Sequence, residues 1–145
     1  MAETLVDSSV LLDIVTEDPT WYEWSAGALA AQADVAILAI NPIIYAEISV
    51  GFARIEDLEA RLPADEVRRD PIPWEAAFLA GKAFVAYRRR GGAKTATPPD
   101  FYVGAHAAVR GMTVLTRDPG RLRTYFPTLV LIAPTEAEIT RVERR

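Results

Sequence analysis

Short apolar runs alternate with longer segments of helical periodicity along the chain. The runs at 4–6, 35–39, 113–116 and 129–132 have the length and composition of buried β-strands. A further extended segment at 67–72 is weaker, because prolines interrupt it. Regular alternation of strands and helices predicts the α/β class, specifically a three-layer α/β/α sandwich around a central parallel sheet.

Capping residues mark the expected ends of several helices. Asp18-Pro19 and Asn41-Pro42 each place a capping side chain before a proline, which predicts that a helix starts there. The spacing of Thr135 and Glu138 predicts a capping box for a last short helix. No repeat, low-complexity segment or linker divides the chain, so we expect a single domain over 1–145.

The composition narrows the possible chemistry. The sequence contains no cysteine and one histidine, His106, so thiolate metal sites and disulfides are excluded. Any histidine-dependent triad would have to use His106, which we expect to be packed or exposed rather than catalytic. The N-terminus has no signal-peptide pattern and no apolar run reaches membrane-spanning length, which predicts a cytoplasmic protein with no membrane contact.

Positive charge is concentrated in one stretch. The net charge of −4 disfavours nucleic-acid binding through bulk charge. Between positions 76 and 99, however, there is no acidic residue, and the stretch carries Lys82, Arg88, Arg89, Arg90 and Lys94. Such a stretch is either a solvated helix end, where cations suit the helix dipole, or a patch that faces phosphate groups.

Four carboxylates are expected at one edge of the sheet. Asp7 directly follows the first strand, and Glu47 lies one turn into the helix after the second. Asp118 follows the third strand, and Asp100 starts the helix that leads into that strand. The carboxyl ends of parallel strands share an edge, so the pattern predicts that these side chains converge. Taken singly, each aspartate also fits a simple helix cap and Glu47 a surface position.

A cluster of four carboxylates indicates a bound cation. Like charges packed together repel, and the cluster is costly unless something cationic lies among them. Without cysteine and with one histidine, the fitting ion is Mg²⁺ or Mn²⁺ bound through oxygen. Such an ion can activate water and neutralise charge on a phosphoryl group, so the acids and the basic stretch together favour phosphodiester hydrolysis.

The segments 5–11, 44–47, 98–107 and 115–121 resemble, in order and spacing, the four signature blocks of PIN-domain nucleases. They look most like the toxins of VapBC-type toxin–antitoxin pairs. The resemblance implies a metal-dependent endoribonuclease, usually a homodimer, that a cognate antitoxin silences by covering the active groove. We expect RNA to be hydrolysed to a 3′-hydroxyl and a 5′-phosphate.

Each site residue is carried over by its match to these blocks. Asp7, Glu47, Asp100 and Asp118 match the family's acidic quartet and are expected to hold the metal, with Glu47 alternatively orienting water. Ser9 and Thr116 match supporting hydroxyl residues. For the cations, phosphate contact and plain surface charge are alternatives; the candidate substrate-binding residues are Arg88, Arg89, Arg90, Lys94, Arg117 and Arg121.

Three other functions fit parts of the sequence. A phosphatase with Asp7 as nucleophile is disfavoured, because haloacid-dehalogenase phosphatases place a second aspartate where this chain has Ser9. A non-enzymatic binding module, with the acids serving only as caps, is the other alternative. A DNA nuclease is disfavoured because nothing resembles the helical arch that flap nucleases use. Trp21, Tyr22 and Trp24 cannot all point inward, so at least one should be exposed.

Overall fold

The computed structural model describes residues 2–144. Five parallel strands form one sheet in the order β3-β2-β1-β4-β5: β1 (Glu3–Val6), β2 (Ile37–Ile40), β3 (Arg68–Arg69), β4 (Thr113–Leu115) and β5 (Leu131–Ile132). Eight helices in this part of the chain flank the sheet: α1 (Ser8–Val15), α2 (Tyr22–Val35), α3 (Pro42–Ser49), α4 (Ile55–Arg61), α5 (Trp74–Arg89), α6 (Pro99–Arg110), α7 (Gly120–Tyr125) and α8 (Glu136–Glu143). The predicted α/β/α fold is confirmed. None of the described helices has the length and apolar character needed to cross a bilayer.

The central strand β1 determines where a site can form. It pairs with β2 on one side and β4 on the other, and Leu5 and Val6 are fully buried. From β1 the chain builds outward to β2 and β3, and later crosses back to add β4 and β5 on the opposite side. The order of the strands therefore reverses between β1 and β4, where α/β sheets open a crevice at their carboxyl ends. Asp7 lies at this point, and its N–H donates to the carbonyl of Leu115 at 2.9 Å.

Helix α6 is fixed by close packing against its neighbours. Phe101 is fully buried, with its ring centre 5.1 Å from that of Tyr125. At Gly104, an added Cβ atom would lie 2.5 Å from a ring carbon of Phe126, so the approach of α7 to α6 requires glycine there. Gly111 ends α6 in the left-handed conformation, as expected of a helix C-terminus. This packing fixes the position of Asp100, in the first turn of α6.

The strands predicted at 67–72 and 129–132 are shorter, at Arg68–Arg69 and Leu131–Ile132, and the boundaries predicted around α2 are wrong. The helix expected at Asp18-Pro19 begins instead at Tyr22, because the Asp18 carboxylate accepts hydrogen bonds from the N–H groups of Thr20 and Trp21 and closes a turn. That helix continues through Val35, so the strand predicted at 35–39 begins at Ile37. Tyr22 is exposed, as expected for at least one of the three neighbouring aromatic residues.

The capping predictions are confirmed elsewhere. The Asn41 side chain accepts from the N–H of Ile44 at 2.9 Å and caps α3. Thr135 and Glu138 form the reciprocal capping box at the start of α8. Both interactions satisfy backbone donors that have no partner within the helix.

His106 belongs to a buried structural network. The Asn41 side-chain oxygen is already used as a helix cap, so its amide nitrogen donates to His106 Nδ1 at 3.0 Å. The Nε2–H of His106 then donates to Asp70 at 2.7 Å. Burial lowers the pKa of His106, which agrees with the role of its Nδ1 as a hydrogen-bond acceptor. The network ties the ends of β2 and β3 to α6, in agreement with the expectation that His106 is packed.

Candidate active site

An open cleft of about 750 Å³ lies at the carboxyl edge of the sheet. All four predicted carboxylates line it, although they come from four separate parts of the chain: Asp7 after β1, Glu47 from α3, Asp100 from α6 and Asp118 from the loop after β4. Ser8, Ser9, Tyr87, Arg121 and Tyr125 are among the other lining residues. The topology thus brings the acidic quartet together as the positions of the strands predicted.

Asp7 is buried and held by three hydrogen bonds. The residue is 8 % exposed, and its Oδ1 accepts from the N–H of Ser8 at 2.9 Å. Its Oδ2 accepts from the hydroxyls of Ser9 at 3.1 Å and Thr116 at 2.8 Å. Burial raises the pKa of Asp7 above its usual value, and these hydrogen bonds oppose the shift only in part. The two hydroxyl residues predicted to support the site therefore contact the first carboxylate directly.

The hydroxyls of Ser9 and Thr116 also hold together two segments that are far apart in the sequence. The Thr116 hydroxyl also accepts from the N–H of Asp118 at 3.0 Å, and the Ser9 hydroxyl accepts from the N–H of Arg117 at 3.1 Å. The loop that carries Asp118 is thereby held against the start of α1. The backbone positions of the first and last acids are coupled through two side chains.

The other carboxylates are stabilised less completely. Glu47 accepts from the Ser8 hydroxyl at 2.9 Å, and burial together with the charges of Asp7 and Asp100 raises its pKa. Burial also raises the pKa of Asp100, although Arg121 donates to its Oδ1 at 3.3 Å and opposes the shift. Asp118 is exposed, and its carboxylate accepts no hydrogen bond within residues 2–144. A cation in the cleft would relieve this unfavourable concentration of negative charge.

The donor chemistry of the cleft fits a hard divalent cation. The four acids offer oxygen ligands and there is no cysteine anywhere in the sequence, which favours Mg²⁺ or Mn²⁺ over softer ions. Within residues 2–144, however, no three acidic or histidine side chains are placed to hold one ion together. Mg²⁺ usually keeps several waters and uses only one or two protein carboxylates, so this spacing agrees with its ordinary mode of binding.

The basic side chains predicted to bind substrate are not equally close to the acidic residues. Arg121 lines the cleft, and its guanidinium lies 5.7 Å from the centre of the Tyr87 ring. Arg117 points elsewhere: it donates to Asp13 at 2.7 Å and lies over the Trp21 ring. Its side chain ties the loop after β4 to α1 and to the residue that precedes α2.

The basic stretch lies at the end of α5. Arg88 donates to the carbonyls of Gly92 at 3.1 Å and Lys94 at 3.0 Å, which closes the turn after the helix. Arg90 lies 5.3 Å from the centre of the Tyr125 ring, beside the cleft. Arg89 and Lys94 are exposed. Substrate contact by these residues stays a prediction.

Sequence reasoning missed three residues of the cleft. Ser8 was not predicted as a site residue, yet its hydroxyl donates to Glu47 at 2.9 Å. Tyr87 and Tyr125 were not considered, although Tyr87 falls inside the basic stretch and Tyr125 lies four residues after Arg121 on the same helix face. That spacing was a signal available from the sequence.

Comparison with known proteins shows which family this fold and cleft represent. The sequence profile of the PIN domain matches residues 4–127. No curated protein sequence matches the chain at a significant level.

Solved structures share the fold at low sequence identity. VapBC2 from Rickettsia felis, bound to a promoter DNA fragment, matches with a TM-score of 0.70 at 16 % identity, over 92 % of this chain and 99 % of that one. DNA-bound VapBC from Salmonella typhimurium matches with a TM-score of 0.66 at 18 % identity, over 92 % of this chain and 98 % of that one. A toxin–antitoxin complex from Klebsiella pneumoniae matches with a TM-score of 0.63 at 21 % identity, over 92 % of this chain and 98 % of that one. The profile match covers most of the chain, and the chain therefore belongs to the PIN domain family.

Proposed function

We propose that this protein is a divalent-cation-dependent endoribonuclease and the toxin of a VapC-type toxin–antitoxin pair. The observation that carries the proposal is the acidic cleft: four carboxylates from distant parts of the chain line it, and the pKa values of three are raised. Raised pKa values in a cleft are typical of functional sites. Membership of the PIN domain family supports the nuclease assignment.

The cleft residues take distinct roles in this proposal. Asp7, Glu47, Asp100 and Asp118 would surround a hydrated divalent cation, with only one or two of them as direct ligands. When bound, the ion would lower the pKa of water and neutralise charge on a phosphoryl group. Ser9 and Thr116 orient the Asp7 carboxylate, and their hydrogen bonds favour its ionised form.

Arg121 is the substrate-binding residue best placed in the cleft. Its guanidinium pairs with Asp100, and the pair is partly exposed. We propose that this guanidinium also contacts a phosphate of bound RNA. Hydrolysis would break the bond from phosphorus to the 3′ oxygen and leave a 5′-phosphate and a 3′-hydroxyl.

Partners and setting belong to the same proposal. The solved structures similar in fold include VapBC complexes and another toxin–antitoxin complex, which supports a cognate antitoxin as the partner. A homodimer and a cytoplasmic location are further parts of the proposal. RNA as the substrate is favoured over DNA because no segment within residues 2–144 resembles a DNA-threading arch.

Cleavage of labelled RNA by purified protein, with Mg²⁺, Mn²⁺ or a chelator, tests the enzymatic part. We expect discrete products with either cation and none with the chelator. Asp118→Asn should abolish them without affecting the fold, because that side chain is exposed and makes no hydrogen bond within residues 2–144. Asp34→Asn is the matched control, since Asp34 is exposed on α2, outside the lining of the cleft. Cleavage that survives in Asp118→Asn would contradict the assignment.

Induced expression tests the toxin part separately. Wild type should arrest growth and produce specific RNA fragments, whereas Asp7→Asn should do neither. Co-expression of the small protein encoded beside this gene should relieve the arrest and co-purify with the toxin. Cleavage in vitro without growth arrest would retain the nuclease and reject the toxin.

A further inference from the structure

Aromatic rings and arginines form a second part of the cleft beside the carboxylates. We call Tyr87, Tyr125, Arg90 and Arg121 the stacking wall. Both tyrosines and Arg121 line the cleft, and each ring has a guanidinium over it: Arg121 lies 5.7 Å from the Tyr87 ring centre and Arg90 lies 5.3 Å from that of Tyr125. None of these groups is a ligand for Mg²⁺, so the wall has no part in binding the cation.

Tyr125 is the ring best placed to receive a ligand. Phe101, which is fully buried, supports it with the two ring centres 5.1 Å apart. The ring is therefore held in place by the core, although Tyr125 is only half-buried itself. A rigid aromatic surface at the edge of a cleft loses little conformational freedom when another planar group stacks against it.

Arg90 is free to cooperate with that ring. It is exposed, follows the end of α5, and forms no ion pair with an acid within residues 2–144. Its only described partner on the cleft side is the Tyr125 ring. The guanidinium can therefore stack on an inserted base or reach the adjoining phosphate without breaking a salt bridge.

On the basis of the proposed ribonuclease function, we propose that Tyr125 and Arg90 form a stacking site for one unpaired base of single-stranded RNA. Nucleobases stack on tyrosine rings and on guanidinium planes alike. In a duplex both faces of each base are covered by its neighbours, so only an unpaired base can occupy the site. Tyr125 lies one helical turn after Arg121, so the stacked base would adjoin the phosphate that Arg121 and the carboxylates face. The stacking wall thus selects single strands.

Binding measured without cleavage tests this site. All variants carry Asp118→Asn, and their affinities in Mg²⁺ are compared for a fluorescent oligoadenylate of about twelve nucleotides, a length typical of single-strand sites. A duplex of the same length is the second probe. Tyr125→Leu should weaken the single strand roughly 5- to 150-fold, as expected for loss of one base–aromatic stack. Tyr125→Phe should bind like the parent, and the duplex should be affected by neither substitution.

Controls separate stacking from stability and from the proposed catalysis. Tyr22→Leu removes an exposed tyrosine outside the cleft and should change neither affinity. Thermal unfolding checks that Tyr125→Leu is folded at the assay temperature. Arg90→Gln is a second variant, which leaves the packing around Phe101 intact. It should also weaken binding of the single strand and leave binding of the duplex unchanged. Equal losses for both probes, or no loss in either variant, would overturn the stacking site. The binding assay does not depend on catalysis. A failure of RNA cleavage would therefore reject the ribonuclease function, whereas the binding measurements would still test the stacking site.

Discussion

Replacing Thr116 with valine tests how the buried carboxylate of Asp7 is maintained. Thr116 is fully buried, and its hydroxyl donates to Asp7 while accepting from the N–H of Asp118. Valine has nearly the same shape but can make neither hydrogen bond. The substitution therefore removes polar interactions at this position with little change in packing.

The expected cost follows from the two hydrogen bonds. A hydrogen bond to a charged group contributes about 1.5–3 kcal/mol, and the 2.8 Å bond to Asp7 is of this kind. The N–H of Asp118 lies in an exposed residue and can turn to water, so its loss adds at most about 1 kcal/mol. We expect Thr116→Val to lower the free energy of unfolding by roughly 1.5–4 kcal/mol, a large share of the stability of an ordinary domain.

Urea denaturation of Thr116→Val and Thr116→Ser measures this cost. Serine keeps the hydroxyl and loses one methyl group, which should cost only about 1 kcal/mol. Nuclease activity should follow the same order, with a loss of about 10- to 100-fold for valine, because groups that orient metal ligands typically have effects of that size. If valine and serine unfold at the same midpoint, the hydroxyl does not compensate for burial of Asp7 and the reasoning is refuted.

Two further predictions concern packing and charge. Gly104→Ala should lower the free energy of unfolding by about 1–3 kcal/mol in urea denaturation, because the added Cβ would collide with Phe126. Gly27→Ala in α2 is the control, since its added Cβ meets no atom within 4 Å and should not destabilise the protein. Equal effects of the two substitutions would contradict this account. Burial raises the pKa values of three cleft acids, Asp7, Glu47 and Asp100. At these groups the native state therefore binds more protons than the unfolded chain. The stability that these acids contribute is present below their pKa values in the unfolded chain, and it is lost as the pH rises through their pKa values in the folded protein. Thermal unfolding should therefore show a larger increase in Tm on addition of Mg²⁺ at about pH 7.5 than at about pH 5. Comparing samples with and without Mg²⁺ at each pH cancels the opposite contribution of His106, whose pKa is lowered by burial. No response to Mg²⁺ would reject the cation site.

The sequence was sufficient to predict a central parallel sheet between helices and the convergence of the acids. Both follow from local features: apolar runs of strand length, and the position of each acid relative to a strand end. Asn41 and the capping box at Thr135 were predictable for the same reason, since a cap depends on residues a few positions apart. The start of α2 was not, because Asp18 has two local alternatives, a helix cap or a turn, and it forms the turn.

The environment of each acid could not be predicted, because it depends on contacts between distant segments. Nothing near Glu47 in the sequence indicates that Ser8, from another helix, would hold it. The same is true of Arg117, which was considered as a phosphate contact beside Asp118 but whose side chain is paired with the buried Asp13. Side-chain direction on a loop is fixed by such partners, and sequence spacing carries no information about them.

The aromatic and acidic parts of the cleft depend on the same packing between α6 and α7. Asp100 lies in the first turn of α6 and Arg121 in α7, and the Gly104–Phe126 approach sets the distance between these helices. Phe101, one residue after Asp100, supports the Tyr125 ring. A change in this packing would therefore shift the ion pair of Asp100 and Arg121 together with the stacking wall. Nuclease activity and single-strand selectivity should accordingly decline together in Gly104→Ala, whereas Thr116→Val should reduce activity and leave selectivity unchanged.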